Sequence, residues 1–156
     1  RCYEMLQREV ALGKGALIIA RSPPMEIRER YNIGKSQVIW LTMNEKLSDS
    51  PTPSAGKEEG HETAGERDEY VKPGDLPKLY SVALNFLDGH NEGVILLEGV
   101  EYLVSHNKFQ SMLNFLQKLN ESVVQNGQNL VISVNPATFE AKQMSHLESE
   151  MSKVLG

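Results

Sequence analysis

A single cysteine, Cys2, stands in a chain of 156 residues, so neither an internal disulfide nor a thiolate metal cluster is available to it. The chain needs no oxidising compartment, and the expected location is cytoplasmic. No apolar stretch approaches the roughly 20 residues of a membrane-spanning helix, and no charged-then-apolar leader precedes the first helical pattern. Membrane insertion by this chain is not expected. Because it starts on Arg1, already inside that pattern, it reads as a single α/β domain over residues 1–156, cut from a longer protein. A surplus of base is also missing, since the formal net charge is −5. Residues 48–69 hold seven acids against two bases, and the 14 acids and 14 bases elsewhere cancel. Nucleic-acid affinity rests on clustered Lys and Arg at phosphates. A neutral body with an acidic segment does not provide it. Aromatic residues are sparse at 6% and sit mostly at core spacing, Trp40 included, which argues against a base-stacking platform.

What the chain does have is a series of apolar runs separated by amphipathic stretches. Val94, Ile95, Leu96 and Leu97 follow one another without polar alternation, the pattern of a strand buried on both faces. This run is expected at the centre of the sheet. Residues 16–20, 37–42 and 130–134 read as three further strands. Between and around them, Tyr3, Leu6 and Val10 mark a first helix, and Pro24 to Tyr31 a short second one that Ser22 would cap. Leu76, Leu79, Tyr80, Ala83, Phe86 and Leu87 form a third apolar stripe, capped by Asp75. A turn or short helix is expected around Val100 to Val104. Phe109, Met112, Leu113, Leu116, Leu119 and Val123 follow on a helix that Asn107 would open, and the last helix covers about residues 138–155. From residue 44 to residue 73 the periodicity dissolves, and between Ser48 and Glu69 only Ala55 and Ala64 are apolar. That segment reads as a disordered acidic loop, a solvated spacer. Strict alternation of strand and helix implies a three-layer, mainly parallel four-stranded sheet with helices on both faces, Rossmann-like in outline.

Chemistry is harder to find. Gly34-Lys35-Ser36 and Gly13-Lys14-Gly15 look like phosphate cradles, but each leaves a helix and enters a strand, the reverse of a phosphate loop. They read as ordinary turns. Val94 to Glu98, an apolar strand ending in an acid, has the form of the metal-holding strand of phosphate-loop ATPases. Glu98 with Glu101 would then be the ligands of Mg²⁺, and Arg21, near the neighbouring strand end, would meet phosphate; the plainer reading makes the two acids caps for backbone amides. His61, His90, His106 and His146 are not at metal spacing and have no nucleophile beside them. No catalytic residue, resident metal or cofactor is assigned.

Several segments together resemble one family. They are Ala20-Arg21-Ser22-Pro23-Pro24, Arg30-Tyr31-Asn32-Ile33, Val38-Ile39-Trp40-Leu41-Thr42, Leu96-Leu97-Glu98-Gly99-Val100-Glu101-Tyr102-Leu103 with Asn107 and Phe109, and Asn135-Pro136. In this combination the chain resembles the archaeal domain of unknown function family 835. The family usually carries aspartate where this chain has Glu98, and a shorter loop after the second strand. The resemblance implies an archaeal source and a parent protein with sensory or membrane-associated parts. The element order is also similar, by remote analogy, to a degenerate RecA- or KaiC-like core without its phosphate loop.

Two functions compete on these grounds. The leading one is a non-catalytic regulatory or protein-interaction module of a larger signalling or membrane-associated protein, with a protein partner or a second copy in a homodimer. Its partner face would be the last helix, through Met144, Leu147, Met151 and Val154, or the edge of the sheet. The alternative is a nucleotide-binding or hydrolysing domain built on Glu98, Glu101 and Arg21.

Overall fold

Apolar runs of three to five residues, each bounded by glycine or polar residues, set the frame of the molecule. The computed structural model describes residues 2–34, 36–43 and 69–150. In chain order these form α1 (Cys2–Ala11), β1 (Gly15–Ala20), α2 (Pro24–Arg30), β2 (Gln37–Leu41), β3 (Glu69–Val71), α3 (Leu76–Asp88), β4 (Gly93–Glu98), α4 (Val100–His106), α5 (Phe109–Gln125), β5 (Asn129–Ser133), a 3-10 turn (Pro136–Thr138) and α6 (Ala141–Ser149). The strands make one parallel sheet in the order β3-β2-β1-β4-β5. β1 is its middle strand, and β4, the strand expected at the centre, lies directly beside it.

The sheet has five strands where four were expected. The fifth is β3, at the end of the segment read as an acidic loop, and it pairs with β2 in the register Trp40 to Tyr70 and Leu41 to Val71. Only Val71 of its three residues is fully buried. An edge strand with one neighbour needs no apolar run, which is why periodicity does not reveal it. Residues 44–68 of the expected loop lie outside the described residues.

Side chains alternate across the sheet and so divide the core in two. Leu17 and Ile19 of β1 with Ile95 and Leu97 of β4 face one cluster, closed by α3, α4, α5 and Leu147 of α6. Ala16, Ile18 and Ala20 with Val94 and Leu96 face the other, closed by Tyr3 and Leu6 of α1 and Ile27 of α2. Helices on both faces are what two buried sheet surfaces require.

The amino-terminal rim of the sheet is closed by a notch. Gly15 of β1 and Gly93 of β4 are register partners, and neither has a side chain to fill the space beside it. A Cβ on Gly15 would collide with the His90 imidazole, and one on Gly93 would sit 2.5 Å from Gln128 Oε1. His90 is stacked on Phe86, ring centroids 4.2 Å apart, with its Nδ1 2.8 Å from the Phe86 carbonyl oxygen. Gln128 donates through Nε2 to the carbonyls of Leu87, at 3.2 Å, and His90, at 2.9 Å.

Helix ends follow the sequence in part. Asp75 caps α3, its Oδ1 accepting from Lys78 N at 3.2 Å. Asn107 does not open α5. It closes α4, and its Nδ2 donates 2.8 Å bonds to the carbonyls of Leu103 and Pro73, tying the α4–α5 turn to the β3–α3 turn. The N-cap of α2 is Pro23, not Ser22. α6 begins with a capping box of Glu140 and Gln143, and its far end is held to α5 by Gln117 Nε2, 2.9 Å from Glu150 Oε2, and by Asn120 Nδ2, 3.1 Å from Glu150 O.

Candidate functional site

In an open parallel sheet the ligand crevice forms beyond the carboxyl ends of the strands, where the strand order reverses. Here the reversal falls between β1 and β4, because the chain proceeds from β1 to β2 and β3 on one side and then returns to β4 and β5 on the other. Ala20 and Glu98 are register partners at that point. Glu98, expected to sit where strand end and helix start meet, does so.

The alternation that points Val94 and Leu96 toward α1 and α2 also points Glu98 that way. Tyr3 of α1 reaches over the strand end and donates a 2.6 Å hydrogen bond to Glu98 Oε1. Tyr3 is 5% exposed and lies flat on Tyr31, ring centroids 4.1 Å apart and planes 6° from parallel. What remains between Tyr3, Tyr31, Ser22, Arg30 and Glu98 is a cavity of about 40 Å³. Sites for drug-sized ligands run to about 300 Å³ and above. The space left accommodates a water, not a nucleotide.

The other two residues singled out at this end have different partners. Arg21 follows β1, and its guanidinium lies 4.4 Å from the centre of the Tyr102 ring on α4, a cation–π contact. Its carbonyl accepts a 2.9 Å bond from Trp40 Nε1. Glu101 accepts from the Asn135 amide through Oε2, capping the chain as it leaves β5. Glu98, Glu101 and Arg21 therefore share the carboxyl-terminal rim, but Tyr3, Asn135 and Tyr102 draw them to three separate contacts. No group of three or more His, Cys, Asp or Glu among the described residues is placed to hold a metal ion.

The glycine turns are helix-to-strand turns. Gly13 and Gly34 have left-handed φ values of 91° and 60°, and the Ser36 hydroxyl donates to the Ile33 carbonyl beside it. Of the histidines, His90 fills the notch, His106 meets the Tyr102 ring edge-on at 4.9 Å, His146 is exposed on α6, and His61 lies outside the described residues. On α6, Leu147 is 5% exposed and belongs to the α3–α5 side of the core, with Met144 packed against it. Met151 and Val154 lie outside the described residues. No helix among the described residues is long and apolar enough to cross a membrane.

A family model described as protein of unknown function (DUF835) matches residues 1–151. The chain belongs to that family. No curated protein matches it. Within this DUF835 domain, the partnership of Tyr3 with Glu98 is the feature that sequence reasoning missed. The two residues are 95 positions apart, and only the acid at the end of an apolar strand gave a signal.

Proposed function

We propose that this DUF835 domain is a non-catalytic regulatory or protein-interaction module of a larger protein, signalling or membrane-associated as the family resemblance implies. The observation that carries this reading is the occupation of the strand-order crevice by the chain's own Tyr3, which takes the Glu98 carboxylate as partner and leaves about 40 Å³ beside it. A crevice closed in this way does not admit a nucleotide without displacing α1. The Arg21 guanidinium, the cation expected from sequence to meet a phosphate, lies on Tyr102.

With Leu147 and Met144 against the chain's own core, the partner surface we favour is the sheet edge. Titration calorimetry of the full chain with Mg²⁺-ATP tests the module reading, with thermal unfolding at millimolar nucleotide alongside. The expected result is no heat of binding and no shift in melting temperature. A saturable heat that Glu98→Gln abolishes would overturn the reading and make this a nucleotide site.

A further inference from the structure

Edge strands expose a row of unpaired N–H and C=O groups, and proteins that stay apart protect them with short length, charge or proline. The two edges of this sheet differ on that point. β3 is three residues long, begins with Glu69 and is followed by Lys72 and Pro73. It is a guarded edge. β5 is five residues, Asn-Leu-Val-Ile-Ser, half-buried from Leu130 to Ser133, and carries neither charge nor proline. The uncharged stretch extends well past the strand, since no Asp, Glu, Lys or Arg occurs between Glu121 and Glu140 in a chain that is 24% charged. Among the described elements α1 packs over β1 and β4 and α2 over β2, and Val131, at the outer strand, packs against the core they close while remaining half-buried.

We infer that β5 is a self-pairing edge, along which two copies of this chain join β5 to β5 antiparallel about a twofold axis and continue the sheet from one copy into the other. This names a partner for the interaction role proposed above and rests on it. The occupant is a second copy because the strand is self-complementary: antiparallel pairing centred on Val131 sets Asn129 against Ser133 of the other copy, polar on polar. Each chain carries a net −5, and a twofold contact sets every residue near its own kind. The uncharged stretch is where two copies meet without opposing like charges. Pairing centred on Val131 also sets Leu130 against Ile132 of the second copy, apolar on apolar. The strand is short, so the contact is weak and depends on concentration.

Sedimentation and light scattering of the full chain across the micromolar range test this. The expected result is a mass that rises toward twice the monomer value. Asn129→Lys, at an exposed strand position, and Ser133→Lys abolish the rise, while Val124→Lys, which adds the same charge at a residue 65% exposed on α5, does not. Far-ultraviolet circular dichroism confirms that each variant is folded. As a second measurement, Val131→Cys on a Cys2→Ser background forms a disulfide-linked dimer under mild oxidation, and Leu12→Cys on the same background does not. A monomer at every concentration, or a dimer indifferent to both strand lysines, overturns the inference. A monomer that also gives no heat with Mg²⁺-ATP overturns self-pairing alone, whereas saturable nucleotide heat overturns the module reading.

Discussion

The hydroxyl of Tyr3 and the carboxylate of Glu98, 95 residues apart in sequence, meet at 2.6 Å over the end of the strand beside the middle of the sheet. The bond fastens the first helix to the carboxyl-terminal rim.

Removing that hydroxyl leaves a half-buried carboxylate without its donor. Tyr3→Phe is expected to cost about 1.5–2 kcal/mol, the lower part of the range for bonds to charged groups because Glu98 is only half-buried. Urea unfolding measures it. An unchanged midpoint would mean that solvent serves Glu98 as well as tyrosine does.

Leu147→Ala is expected to cost about 2–4 kcal/mol, since the side chain lies in the core cluster and not on a free helix face. Leu147→Glu goes further and unfolds α6, so any loss of association in that variant reports on folding. Chemical denaturation of the alanine variant, compared with the exposed control His146→Ala, separates the two cases.

Asn107 bridges two turns through the carbonyls of Leu103 and Pro73. Asn107→Ala should cost about 1–2 kcal/mol and raise amide exchange at the β3–α3 turn as well as at the end of α4. Exchange confined to α4 would show that the Pro73 contact contributes nothing.

Lys14 and Glu9 form an ion pair at 2.8 Å by the amino-terminal end of β1. The hydrogen bond from Lys14 to Glu9 and the attraction of the Glu9 charge hold the ammonium above its ordinary 10.5 against desolvation, with a lesser attraction from Glu92. Its folded-state affinity for the proton is raised, so whatever the pair contributes is complete below the ordinary lysine value and is lost as pH rises through the raised one. Stability should show no dependence on this pair near neutrality. Glu9→Gln should bring the Lys14 titration, followed by NMR of its ε-methylene, back toward 10.5.

How much of this was legible in the chain depends on the range of the interaction. Val94 to Leu97 announced a doubly buried strand because burial on two faces removes polar alternation, and Asp75 announced a helix start because a short carboxylate satisfies an orphan amide locally. β3 did not announce itself, since a three-residue edge strand with a single buried residue carries no period. Asn107 reads as opening α5 because the same short amide that accepts from a helix start can donate to a helix end, and which it does depends on Pro73, 34 positions earlier. At the candidate site, Glu98 was found from its place at the end of an apolar run. Its partner could not be, because Tyr3 in sequence is simply an apolar-face residue of the first helix.

The glycine pair at the foot of β1 and β4 constrains how this sequence can drift. Position 93 cannot enlarge while glutamine fills the space above it, and position 15 cannot enlarge while histidine does. Family members that carry alanine at either place should therefore carry a shorter residue at 128 or at 90, two loci exchanging volume in step.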